Sequence, residues 1–237
     1  MKSLHLLLLC MALTAATVCA QAGKRAGDLQ TDAALRTMPD FHLSSSEEAA
    51  GIDGKMQIGV AISADGKTSD IRIYGGPMWP CGTNPQGELE KVRKEVKQLI
   101  VSSTFEPATK NGKPRSSDVQ LTFVLSDLFR NAAKTTEIEE NLKKGINPPL
   151  VEVRNLSRFA LSVPVQLMGT RQSPGARFAE IQVLIDENGN VISAGGFRTG
   201  ATELTEARGL ACTAKFKPLV LNNKPVKMWG IIVYGLY

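Results

Sequence analysis

Three short landmarks occur twice along this chain in the same order, and a chain that repeats itself in this way folds as two similar units. Ile62-Ser63-Ala64-Asp65-Gly66-Lys67 has the form of Ile185-Asp186-Glu187-Asn188-Gly189-Asn190, and Phe105-Glu106-Pro107 that of Phe216-Lys217-Pro218. Asn111-Gly112-Lys113-Pro114 returns as Asn222-Asn223-Lys224-Pro225. The offset between the copies falls from 123 residues at Gly66 and Gly189 to 111 at Pro114 and Pro225, so about a dozen residues are extra in the first copy. They fit the loop 75–87, which carries Pro77, Trp79, Pro80, Cys81 and Pro85.

Both copies read alike. In the first, Met56, Ile58, Val60 and Ile62 alternate with their neighbours as in a strand, Asp65-Gly66 turns the chain, and Ile71 and Ile73 carry the return strand. Leu89, Val92, Val96 and Leu99 then recur at spacings of three and four, which predicts a helix with these residues on one face. Its other face mixes Lys91, Arg93, Lys94 and Lys97 with Glu88, Glu90 and Glu95, a solvated pattern with no aromatic residues interleaved for stacking on bases, so no nucleic-acid partner is expected. Phe105 opens a short strand, Asn111-Gly112 turns it, and Val119, Leu121, Phe123 and Leu125 alternate along the last strand. The second copy has Ile181, Val183 and Ile185, a turn at Asn188-Gly189, a helix over about 203–214, Phe216 and a closing strand over 226–237.

The expected fold class is α+β: two tandem modules, each a small antiparallel sheet in hairpin, helix, hairpin order packed on a helix. The first spans 55–125 after a polar segment 21–54, and the second spans 150–237 with one or two preceding strands. Between them, Thr136 and Glu139 form a capping-box pattern ahead of Leu142, and Gly145, Pro148 and Pro149 stop the chain, which predicts a helical linker over 126–149. Pro164 confines any strand near it to a sheet edge. A module of 60 to 70 residues buries only roughly 60% of its unfolded surface, so the two are expected to pack into one body.

At the N-terminus, Lys2, an apolar run over 4–18 and the triplet Val18-Cys19-Ala20 ahead of Gln21 have the anatomy of a secretory signal peptide, cleaved between Ala20 and Gln21. An uncleaved anchor is the alternative, although the run is shorter than the roughly 20 residues that cross a bilayer. Cleavage leaves two cysteines, Cys81 and Cys212, in a compartment that permits disulfides. A disulfide between them, joining the copies, is expected; a buried free thiol at Cys212 is an equally simple alternative. Only His42 remains of the histidines, which argues against a His-assisted nucleophile and against the usual zinc sets. No carboxylate pair stands at a defensible spacing either, so no enzymatic activity and no cofactor are expected. Asp186, Asn188 and Asn190 suggest a calcium loop, but the glycine and the terminal Glu are misplaced, and a hairpin turn is the better reading.

A strand, an Asp-Gly or Asn-Gly turn, a return strand ending in small residues, a helix, then Phe-x-Pro and an Asn-Gly-Lys-Pro-like turn before an apolar last strand resembles the C-terminal domain of the TonB family. The second copy, 178–237, is the better match, with Val191, Gly195-Gly196, Leu204 and Phe216-Lys217-Pro218 in place. The resemblance implies a bacterial envelope protein, periplasmic or secreted, that binds proteins by strand addition. Its partner would be an extended segment of an envelope protein such as an outer-membrane receptor. A membrane-anchored energy transducer supporting outer-membrane transport is the alternative, and membrane contact follows only if the leader is kept. The family's long Pro-rich spacer is absent, the domain is doubled, and 150–176 stands in place of the family's Tyr-Pro-x-x-Ala stretch.

The last strand is apolar on both faces, with Trp229, Ile231 and Val233 on one and Met228, Ile232, Tyr234 and Leu236 on the other. It is therefore expected to be buried twice, by its own helix and by the first copy or a partner. If it lies at a sheet edge it offers a template for an incoming strand, with Lys224, Lys227, Trp229, Ile231 and Val233 as the binding residues and the two lysines favouring an acidic segment.

Overall fold

Two of the three landmarks meet in space in each copy. Gly66 and Gly189 turn the two long hairpins at φ of 79° and 83°, a region that disfavours side chains. A Cβ at Gly66 would stand 2.7 Å from the carbonyl oxygen of Phe105, and one at Gly189 only 1.9 Å from that of Phe216. The hairpin turn thus rests on the Phe-x-Pro segment in both copies, with the prolines just behind. Asn111-Gly112 and Asn222-Asn223 all have positive φ, as a two-residue hairpin turn of the type that matches strand twist requires.

The computed structural model describes residues 30–134, 137–145, 147–164, 177–198 and 201–236. The leader, with Ala20 and Gln21, lies outside them, as do Thr136 of the expected capping box and the stretch 165–176. The first copy comprises β1 (Gln30–Thr31), β2 (Ala34–Thr37), α1 (Ser45–Ala49), β3 (Lys55–Ile62), β4 (Thr68–Gly75), β5 (Trp79–Pro80), α2 (Gln86–Ser102), β6 (Thr104–Glu106), β7 (Ala108–Lys110), β8 (Lys113–Arg115) and β9 (Ser117–Val124). Next come α3 (Asp127–Arg130), β10 (Ala133–Lys134), α4 (Ile138–Lys143), β11 (Leu150–Glu152), a 3-10 turn (Leu156–Phe159) and β12 (Ala160–Ser162). The second copy follows as β13 (Arg177–Ile185), β14 (Val191–Arg198), α5 (Ala201–Thr213), β15 (Lys215–Phe216), β16 (Leu219–Leu221) and β17 (Lys224–Leu236).

The chain is α+β, and both copies share one strand order: β4-β3-β9 in the first, β14-β13-β17 in the second, all antiparallel. In each, the helix lies on one face. Leu89, Val92, Val96 and Ile100 of α2 are buried with Met56, Ile58, Val60, Ile62 and Phe105, while Ala207 and Ala211 of α5 are buried with Ile181, Val183, Ile185 and Phe216.

Two readings of the sequence need correction. The polar segment ahead of Lys55 is part of the first unit from residue 30 onward. There β2 pairs with β6, and Glu47 of α1 is buried, its carboxylate accepting from the Ser44 amide and lying 3.5 Å from Lys91 Nζ. The second copy has the counterpart in β12, which pairs with β15. The linker is also only partly helical, because β10 joins β11 in a parallel pair on the second sheet.

The copies interlock. Met78, Phe129, Leu150, Leu184 and Trp229 form a shared cluster, with the Phe129 and Trp229 rings 5.6 Å apart. Gln182, 0% exposed, reaches from β13 to the start of β3, where Oε1 accepts from the Lys55 amide at 3.0 Å and Nε2 donates to the Lys55 carbonyl at 2.7 Å. A buried side chain thereby stands in for a strand neighbour.

Candidate functional site: the edges of the second sheet

A strand with one bonded neighbour leaves a row of backbone donors and acceptors on its other side, and these rows are where a sheet recruits more chain. The second sheet runs β10-β11-β17-β13-β14-β5, so segments from outside the repeat are added at both ends of its hairpin core.

On the β14 side the added strand is β5, from the loop peculiar to the first copy. Trp79 lies opposite Ala194 and Pro80 opposite Ser193, and the Cys81 amide donates to the Ile192 carbonyl at 3.0 Å. Gly195 permits this approach, since a Cβ there would stand 2.2 Å from the Pro77 carbonyl oxygen. The loop is fastened from α5. Arg208 Nε donates to the Ala194 carbonyl at 2.9 Å, and its terminal nitrogen donates to the carbonyls of Trp79 at 3.0 Å and Pro80 at 2.7 Å. The guanidinium also lies 4.1 Å from the centre of the Trp79 ring, and burial pulls its pKa down to about 10, which leaves it charged at neutral pH. One turn on, Cys212 is disulfide-bonded to Cys81, with Cα atoms 5.7 Å apart. Trp79 is buried with the core of the first copy, and its Nε1 donates to the Thr83 carbonyl.

On the other side, β17 is flanked unevenly. Its start, Lys224–Val226, pairs with β16, and Lys227, Met228 and Trp229 pair with β11 while Met228 and Trp229 also pair with β13. Lys224, Lys227 and Trp229 are thus removed from the proposed strand-accepting set, because partners within the chain already hold their backbone. Trp229 is only 4% exposed, with Lys55 Nζ 4.1 Å from its ring centre and Glu152 3.3 Å from the same ammonium.

The ladder with β11 ends where the Trp229 carbonyl accepts from the Val153 amide at 2.8 Å. Backbone groups alternate sides along a strand. Those of Ile231 and Val233 therefore point the same way as those of Trp229, away from β13, and make no hydrogen bond there among the described residues. They border a groove of about 410 Å³ whose walls include Arg154, Leu156, Ala160 and Val163. Val233 is 57% exposed, so the expectation of burial on both faces fails at this end. Of the five residues read from the sequence, Ile231 and Val233 stand at an open edge, and the cation beside them is Arg154.

The Asn188-Gly189 turn is held from within. The Asp186 carboxylate accepts from the amides of Asn188 and Asn190 at 2.9 and 2.8 Å, so it is occupied in holding its turn. Among the described residues no group of three or more His, Cys, Asp or Glu is placed to hold a metal ion, and no helix is long and apolar enough to cross a membrane. Gln182 and Arg208 were missed in the sequence. Gln182 had a signal, as a lone amide between the apolar residues Ile181 and Val183.

No protein-family model matches the chain, and no curated protein does. Among solved structures, the solution structure of the TonB C-terminal domain of Pseudomonas aeruginosa is similar at 22% identity and a TM-score of 0.29, covering 40% of this chain and 87% of that one.

Proposed function

We propose that this protein binds an extended segment of another polypeptide by adding it as a strand to the open half of β17. The observation that carries the reading is the pair Ile231 and Val233, whose backbone donors and acceptors face a groove with no hydrogen-bond partner among the described residues. Main-chain bonds would supply the affinity, and the apolar walls at Leu156, Ala160 and Val163 would select the side chains that enter. A segment this short buries little area, so the affinity is of roughly micromolar order, near −8 kcal/mol. The secretory leader makes an envelope protein the natural partner, and the protein would act as an adaptor in the periplasm.

The discriminating variant is Ile231→Pro. It deletes an N–H that faces the groove and leaves the β13 ladder intact, as proline is tolerated only at such edge positions. Loss of one hydrogen bond of about 1.5 kcal/mol weakens binding roughly tenfold. A photo-crosslinker at Val233 in the native envelope should capture a partner from the parent and much less from Ile231→Pro, with thermal stability unchanged. Equal capture by both would sink the reading.

A further inference from the structure

The helices of the two copies run in register at the offset of 111 residues that relates Phe105 to Phe216. Buried Val96 and Ile100 of α2 then fall on buried Ala207 and Ala211 of α5. The same offset carries Arg208 to Lys97 and Cys212 to Val101. In the second copy those two positions hold an extended strand on the edge of the hairpin's return strand: Arg208 through the carbonyls of Trp79 and Pro80, Cys212 through its bond to Cys81. In the first copy the corresponding edge, that of β4, has no strand paired with it among the described residues, and β14 reaches only its end, where the Gly76 amide donates to the Gly196 carbonyl. What lies there is a groove of about 620 Å³ between β4 and α2, lined by Ile73, Tyr74, Arg93, Lys94, Lys97 and Val101.

The lining combines an apolar floor with a cationic rim. Val101 is 58% exposed, whereas Cys212 at the matching position is partly covered by its loop, and Ile73 of β4 supplies the other apolar side chain of the groove. Arg93 is paired with Glu90, while Lys94 and Lys97 are exposed and enter no ion pair among the described residues. Three cations stand against one carboxylate around the groove, so its field favours a negatively charged strand.

We propose that the β4–α2 groove is a second strand-accepting site, independent of the β17 edge, whose occupant is an extended acidic peptide segment of a partner protein. Lys97 donates to the backbone carbonyls of the segment as Arg208 does to those of Trp79 and Pro80. Lys94 meets its acidic side chains, and Val101 and Ile73 form the apolar surface beneath it.

The test uses the full exported chain and two dye-labelled pentapeptides that copy Met78-Trp79-Pro80, one flanked by Glu on each side and one by Lys. Fluorescence anisotropy should show saturable binding of the Glu-flanked probe at micromolar order and binding of the Lys-flanked probe about tenfold weaker or less. The double variant Lys94→Glu/Lys97→Glu, confined to exposed helix positions, should weaken the Glu-flanked probe at least about tenfold. Ile231→Pro should leave it unchanged, which separates this site from the β17 edge. No saturation by about 1 mM, or equal binding of both probes, overturns the proposal. So does sensitivity to Ile231→Pro in place of the lysines. Displacement of the probe by a shorter-than-stoichiometric dose of a single-stranded oligothymidine would mark the groove as a nucleic-acid surface and overturn it as well.

Discussion

Arg208→Met separates what the guanidinium contributes from what its aliphatic stem contributes, because methionine approximates the stem and removes every donor together with the cation over the Trp79 ring. Three carbonyls lose a charged partner, those of Ala194, Trp79 and Pro80. At about 1.5 to 3 kcal/mol for each hydrogen bond to a charged group, the gross loss is roughly 4.5 to 9 kcal/mol. Against it stands the penalty of holding the cation out of water. A fall of the pKa from 12.5 to about 10 corresponds to ~3 kcal/mol on the charged form, and because the side chain is only half-buried, screening by water leaves about 2. The disulfide keeps the loop near the helix in the variant, so the freed carbonyls of the loop shift slightly to meet water, which places the net loss at the low end, about 2 to 3 kcal/mol. Urea unfolding of the oxidised protein, followed by fluorescence of Trp79 and Trp229, should show a lower midpoint with an unchanged slope. Hydrogen exchange at the Cys81 amide, which donates to Ile192, should speed up at least about tenfold, since it reports local opening of the loop. A loss below about 1 kcal/mol with unchanged exchange at Cys81 would refute the view that Arg208 fastens the loop to the second sheet.

Gln182→Ala removes both hydrogen bonds to the Lys55 backbone and leaves a buried N–H and C=O without their partner, so a loss of about 2 to 4 kcal/mol is expected in urea unfolding, against a few tenths for Gln120→Ala on the same measurement. Asp53 is pushed up by burial, opposed by hydrogen bonds from Ser126 and the Gly54 amide. A carboxyl raised in the folded state contributes stability that is complete below its unfolded value of 3.8 and is lost as pH rises through the folded value. Asp53→Asn keeps an acceptor for Ser126 and removes the charge, so it should flatten that decline in thermal melts taken from acid toward neutral pH; an unchanged slope in the variant would assign the decline to other groups.

The parts of this fold that the sequence made legible are those whose cause is local. Gly66, Gly189, Asn111 and Asn222 announce turns because few residues tolerate positive φ, and Met56 to Ile62 announces a strand because its alternation is set by the pleat. Neighbours across a sheet are a different matter. Nothing in Trp79-Pro80 marks a two-residue strand, since the pairing with β14 is created by Gly195 and Arg208 more than a hundred residues away. Likewise the apolar faces of β17 were readable, while the fact that β11 covers Lys227 to Trp229 and stops there was not, because an edge is defined by which distant segment reaches it. The residues that do the joining, Gln182 and Arg208, look unremarkable by periodicity. An amide between two apolar strand residues and an arginine among Ala207, Gly209 and Ala211 gain their roles only when the other copy arrives.

The extra residues in the first copy explain how two such similar units come to be unequal. A bare hairpin edge is a liability in an isolated module, open to any chain with free backbone groups. The loop 75–87 removes that liability for β14 by giving it β5, and the chain between the copies does the same for the first half of β17 through β11. Neither device reaches β4 or Ile231 to Val233, and both are bordered by grooves with apolar walls and a nearby cation. An edge that needed only protection would be blunted by an inward-pointing charge, a proline or a covering segment, as the other edges of the second sheet are. Under the two proposals, grooved edges with exposed Val233 and Val101 carry the opposite chemistry: they would hold backbone groups in line and supply apolar surface for side chains to cover. On the proposed reading the asymmetry divides the edges by position: the chain fills those it uses to hold its two copies together, and the remainder would accept another strand.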